Sequence, residues 1–108
     1  MAFVTGDMIR GNTDTIILRF LNEGDTYGYE INRRIRQLTE EKYELNEATL
    51  YTAFKRLEKA GYITSYWGDE GSGARRRYYT ITEEGRKAYR SALEEWERTV
   101  EVLERLVK

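Results

Sequence analysis

Apolar residues recur at helical spacing in four stretches of the chain, and two further runs are rich in the aromatic and β-branched residues of strands. Ile16, Ile17, Phe20 and Leu21 form a broad apolar face on a helix that begins at Asn12 or Thr13 and stops at Gly24-Asp25. Ile31, Ile35 and Leu38 recur at four and three, which predicts a second helix with these three residues inward. Thr26 is its expected cap, and Glu30 in its early turns favours the dipole. Tyr27 and Tyr29 flank Gly28, which points to a close helix–helix approach near the start. A polar connection, Glu40 to Glu44, leads to a third helix capped by Asn46, with Leu50, Phe54 and Leu57 as its stripe and Gly61 as a left-handed stop.

Two runs rich in aromatic and β-branched residues follow, Tyr62–Trp67 and Arg76–Ile81, joined by a glycine-bearing turn at 68–74. Thr82, Glu83 and Glu84 then open a fourth helix, although Gly85 stands where a full capping box has Glu or Gln. Along it Tyr89, Leu93, Trp96, Val100, Leu103 and Val107 fall at spacings of 4, 3, 4, 3 and 4, a heptad seam. A small core has no room for a stripe of that length. A second copy of the same helix is the simplest partner, so a two-fold homodimer is expected.

The order helix, helix, connection, helix, hairpin is that of a winged helix-turn-helix. The expected fold is mainly α with a small β-hairpin wing (α+β). Residues 1–81 form the winged helix-turn-helix domain with its N-terminal helix, and 82–108 the C-terminal dimerisation helix. Such a helix fits the DNA major groove, and a basic wing lies along the backbone or in the minor groove. Asn46, Glu47, Thr49, Tyr51, Lys55 and Arg56 are the candidate DNA contacts of the third helix, and Arg75, Arg76 and Arg77 those of the wing. Strand alternation puts Arg75 and Arg77 on one face and Arg76 on the other.

Composition narrows the function classes. The 108 residues include no Cys, His or Pro. That removes disulfides, thiolate chemistry and the commonest general base and metal ligand. The glycines at 68, 71 and 73 join two strands and serve a turn, not a phosphate loop, so no enzyme and no cofactor are expected. The net charge of −1 is even, but Arg33, Arg34 and Arg36, then Lys55, Arg56 and Lys59, then Arg75–Arg77 are clustered. Asp69 and Glu70 in the wing keep a second reading open, a winged-helix protein-interaction module with no small-molecule ligand. No signal-like leader and no apolar run of membrane-spanning length is present, so a cytoplasmic location without membrane association is expected.

Thr26-Tyr27-Gly28-Tyr29-Glu30-Ile31, Leu45-Asn46-Glu47-Ala48-Thr49-Leu50-Tyr51, Phe54-Lys55-Arg56-Leu57-Glu58 with Gly61, Ser65–Glu70, and Arg75–Tyr79 continuing to Ile81-Thr82 with Gly85 together resemble the PadR family of bacterial transcriptional regulators. The resemblance is to its short, multidrug-sensing repressors and spans nearly the whole chain. It implies homodimers that bind double-stranded promoter DNA at a palindromic operator and repress, often acting on their own gene and on a multidrug exporter. It also implies a pore at the dimer interface, where a tryptophan from each terminal helix sandwiches a planar aromatic or cationic drug-like compound. Trp96 occupies that position, with Met8, Thr15, Leu93 and Val100 as further pore candidates. Leu93 stands where such proteins often carry a second aromatic, and Val100 where an acidic residue can meet a cationic drug. Both substitutions make the interface drier.

Overall fold

A computed structural model describes residues 9–69 and 75–108, with only the backbone of Asp69. Met8 and the wing tip at 70–74 lie outside the described residues. The elements in order are a short 3₁₀ turn at Arg10–Asn12, α1 (Thr13–Glu23), α2 (Gly28–Leu38), α3 (Glu47–Lys59), β1 (Ile63–Asp69), β2 (Arg75–Ile81) and α4 (Glu83–Val107). The described residues are thus mostly helical with one antiparallel hairpin, in register from Ile63 opposite Ile81 to Asp69 opposite Arg75. Both strands run beyond the predicted limits, because Asp69 and Arg75 still pair.

The core lies where α1, α2 and α3 meet the base of the hairpin. Ile17, Leu21, Ile31, Leu45, Phe54 and Ile63 are its largest fully buried side chains. The Phe54 ring stacks on Tyr79 of β2 at 3.9 Å between centroids. Gly28 lets α2 approach α3 closely: a Cβ there would lie 3.1 Å from Leu50 and 3.6 Å from Phe54. Asn32 fixes the connection to α3 by donating to the Leu45 carbonyl (2.9 Å) and accepting from its N–H (2.8 Å).

Two expectations are corrected. Thr26 does not cap α2. Tyr27 holds the cap position in extended conformation without a side-chain bond. Thr26 is instead buried, and its backbone pairs with Tyr79 in both directions (3.3 and 2.8 Å), adding a short third rung beside β2. Leu38, expected inward, is 59% exposed. It sits at the C-terminal end of α2 and borders an apolar cleft described below.

The ends of α3 and α4 follow the residues. Gly61 has φ +83°, and the bonds Tyr62 N–H to Leu57 O and Gly61 N–H to Glu58 O, both 3.0 Å, complete a Schellman stop. Thr82 caps α4 by accepting from Gly85 N–H (3.0 Å) and donating to the Gly61 carbonyl (2.7 Å). Gly85 is buried against the chain that precedes it. A Cβ there would stand 2.1 Å from the Tyr62 carbonyl oxygen and 2.7 Å from Ile81. The missing capping-box residue is therefore a packing requirement. Gly85→Ala is expected to lower the unfolding free energy by about 3 kcal/mol, at the upper end for forced overpacking, read from urea denaturation. An unchanged midpoint would mean that α4 does not seat on Tyr62.

Candidate nucleic-acid interface and apolar cleft

Helix α3 buries Leu50, Ala53, Phe54 and Leu57. Its opposite side therefore turns outward, and Ala48, Thr52, Lys55 and Lys59, spaced by 4, 3 and 4, are all exposed there. Lys55 and Lys59 have no ion-pair partner among the described residues. The helix starts on Asn46, whose Oδ1 accepts from Ala48 N–H (2.8 Å) and Thr49 N–H (3.4 Å). Asn46 thus spends its side-chain oxygen on the helix itself. Of the other residues named from the sequence, Lys55 lies on the outward face. Glu47 and Tyr51 flank it on the wing side, Thr49 and Arg56 on the α1 side. Ala48, Thr52 and Lys59 share that face without being among the residues named from the sequence; they are the positions diametrically opposite the apolar stripe.

The wing arginines are held on aromatic platforms. Arg75 and Arg77 lie over the Trp67 ring at 5.1 and 5.6 Å, and Arg76 lies over Tyr27 at 4.6 Å, the two-face split that alternation predicts. Glu58 of α3 ties the wing down by accepting from the Ser65 hydroxyl (2.9 Å) and facing Arg77 at 3.9 Å. Behind Arg76, Tyr27 meets Tyr78 edge-on and Tyr78 stacks on Tyr66. The Tyr66 hydroxyl donates to Asp25 (2.7 Å), which pushes its pKa up. An open cleft of about 500 Å³ between wing, α2 and α3 is lined by Tyr29, Tyr51, Trp67 and the three arginines. Cationic edges and aromatic faces on a groove of that kind suit a phosphate backbone.

The other basic cluster is already committed. Arg33 binds Glu30 through two bonds (2.8 and 2.7 Å), Arg34 binds Glu23 (2.7 Å), and Arg36 lies near Glu41 and Glu44 (3.8 and 3.5 Å). Arg34 and Arg33 hold the Glu23 and Glu30 carboxyls below the usual carboxylate range. These arginines are thus not the open phosphate donors suggested by their clustering.

A second cleft, about 440 Å³, opens between α1, α2 and α4. Its wall is almost entirely apolar, with Ile16, Phe20, Leu38, Tyr89, Leu93 and Trp96 prominent. Among the pore candidates, Trp96, Leu93 and Thr15 line this cleft; Val100 does not, and Met8 lies outside the described residues. The α4 seam divides in two. Tyr89 packs on the chain's own core, whereas Trp96 (47%), Leu103 (50%) and Val107 (79%) are exposed, as are Val102 and Leu106. Among the described residues no cluster of acidic side chains can hold a metal ion, and no helix is long and apolar enough to cross a membrane.

An α2–α3 pair whose outward helix is flanked by an arginine-bearing hairpin defines a winged helix-turn-helix protein. The chain belongs to the PadR-like family of transcriptional regulators, whose family model matches residues 17–91. Regulation of transcription rather than enzymatic catalysis is the activity of that family. A transcriptional regulator from Clostridium thermocellum is 55% identical with a TM-score of 0.88, over 97% of this chain and 99% of that one. A PadR family regulator from Clostridium difficile is 35% identical with a TM-score of 0.75, over 90% and 99%. Bacillus subtilis PadR, solved in complex with operator DNA, is 24% identical with a TM-score of 0.66, over 74% of this chain and 44% of that one; at that identity the likeness is one of fold.

Two outcomes are expected for the isolated protein. Asn46→Ala, which removes the α3 cap, lowers stability by about 1 kcal/mol in urea denaturation. Stability also stays nearly flat between about pH 5 and 8, because no His titrates there. Glu23 and Glu30 have depressed folded pKa values, so their stabilisation is present above the unfolded carboxylate range and is lost as pH falls through the folded values. A thermal midpoint rising steeply from pH 5 to 8 would contradict this.

Proposed function

We propose that this PadR-like regulator is a homodimeric repressor that binds a palindromic operator, including one upstream of its own gene, and that extends to a multidrug exporter gene. Residues 1–81 act as the DNA-binding domain and 82–108 as the dimerisation helix. The observation that carries this reading is the exposed face of α3 set beside the platform-held arginines of β2. The outward Ala48, Thr52, Lys55 and Lys59 enter the major groove, with Asn46, Glu47, Thr49, Tyr51 and Arg56 at its margins, and Arg75, Arg76 and Arg77 follow the backbone. The fold shared with a PadR solved on operator DNA supports it.

The uncovered half of the α4 seam supports the dimer. A second α4 covers Trp96, Val100, Leu103 and Val107, with Tyr89 and Leu93 at the inner margin. The apolar cleft beside Trp96, with Thr15 and Leu93, then opens towards the two-fold axis, and a planar aromatic or cationic compound stacks on Trp96 there. Such a compound acts by binding one arrangement of the two α4 helices better than another, which changes the spacing of the two α3 helices. Half-sites one helical turn apart, about 34–36 Å, accept only one spacing.

The test is fluorescence anisotropy of the duplex upstream of the chain's own coding sequence, beside a scrambled duplex, at several salt concentrations. Tight, salt-dependent binding to the native duplex alone is expected. No binding to either at low salt would sink the reading in favour of a protein-interaction module. Lys55→Ala is expected to weaken binding to all sequences and to reduce the salt slope by about one. Leu103→Glu is expected to give a monomer by analytical ultracentrifugation; a persistent dimer would remove α4 as the interface. For the ligand, a planar aromatic dye should quench Trp96 in a Trp67→Phe background.

A further inference from the structure

The wing occupies one flank of α3; on the opposite flank Thr49 and Arg56, already named as candidate contacts, belong to a cluster that the wing does not explain. There Arg56 donates through Nε and Nη2 to both carboxylate oxygens of Asp14 on α1, across 42 positions of sequence. The pair is solvent-facing, with side chains 53% and 40% exposed. It borders a cleft of about 400 Å³ whose wall is made by Arg10, Thr13, Thr49, Thr52 and Arg56. The Thr13 hydroxyl is spent on the Arg10 carbonyl (3.0 Å), which leaves two guanidinium groups and the Thr49 and Thr52 hydroxyls around a small open cleft as the donor set for a phosphodiester.

A helix lying in a major groove about 12 Å wide has a sugar-phosphate strand on each side. The wing arginines reach only one of them, because Tyr51 and Glu58, their neighbours on α3, lie away from Thr49 and Arg56 around the helix. We propose that Arg56, oriented by Asp14, forms with Arg10, Thr49 and Thr52 a phosphate-binding edge for the second strand of the duplex. This rests on the DNA-binding reading above. Asp14 is a positioning residue: it grips the Nε edge of the guanidinium and leaves the Nη1 edge for the phosphate. A guanidinium held in this way gives up less rotamer freedom when it binds.

The proposal predicts a sign that electrostatics alone does not. Removing a carboxylate near DNA favours binding by simple charge. A positioning role makes Asp14→Asn weaken it. The experiment titrates a duplex of arbitrary sequence at low salt with the wild-type protein, Asp14→Asn, Arg56→Ala, the double variant, Arg10→Ala and the wing variant Arg76→Ala. Circular dichroism melting confirms that each is folded. Asp14→Asn is expected to weaken binding about fivefold, the scale of one charge-assisted contact, and to have no weakening effect in the Arg56→Ala background. Arg10→Ala should lower the salt slope by about one. Tighter or unchanged binding by Asp14→Asn overturns the proposal, as does equal weakening with and without Arg56. If Arg76→Ala weakens binding while this set does not, the second edge alone falls. If Arg76→Ala and this set all leave binding unchanged, the DNA-binding reading falls with it.

Discussion

Tyr79 is the joint on which the rest of the structure depends. Its ring stacks on Phe54 of α3, and its backbone pairs with Thr26 on one side and with β1 on the other. One residue therefore fixes the wing, the start of α2 and the outward helix relative to each other. Burial pushes its phenol pKa up, which keeps the group neutral in the core. Two residues away on the same strand face, Arg77 inherits its position from this joint, and Arg75 inherits its own from Arg77. The basic strand is thus aimed by hydrophobic packing, with cation–π contacts trimming the guanidinium positions.

Much of this was legible from spacing. Period placed α1, period with caps placed α3 and α4, and the glycine at 61 marked a stop that the φ of +83° explains. What was not legible depends on neighbours that spacing cannot see. Thr26 has the residue type of a helix cap, but a strand lay within reach of its backbone, and two backbone bonds outweigh one side-chain cap. Leu38 continued the inward period of α2, yet it ends that helix on the wall of an open cleft. Gly85 was read as a missing cap residue, when the Tyr62 carbonyl leaves no room for a Cβ.

The candidate interface was legible in part for the same reason. Alternation alone separated Arg76 from Arg75 and Arg77, and the aromatic partners on the two faces follow from that. The charge clusters were less informative, since Arg33, Arg34 and Arg36 look like Arg75–Arg77 in sequence. Glu23, Glu30, Glu41 and Glu44 absorb the first set, and three of these four carboxylates come from outside α2. Counter-charges decide how much of a cationic run stays open: of the wing arginines, Arg77 alone faces a carboxylate among the described residues, Glu58 at 3.9 Å. Naming exposed polar residues also overlooked Ala48, whose small side chain is as much a part of an outward helix face as a lysine.

The seating of α4 on Tyr62 through Gly85 has a mechanical meaning. Thr82 is bonded to both Gly61 and Gly85, so the stop of α3, the root of β1 and the first turn of α4 form one welded block. At 1.5 Å per residue, Trp96 sits about 16 Å along the rod from that weld. A rod clamped so firmly at its root cannot swivel there, and a push near Trp96 turns the wing and the outward helix with it as a lever. Further along, α4 lies against α1, where Arg86 bonds to Asn22 and Tyr89 and Leu93 line the apolar cleft with Ile16 and Phe20, so α1 shares any such push.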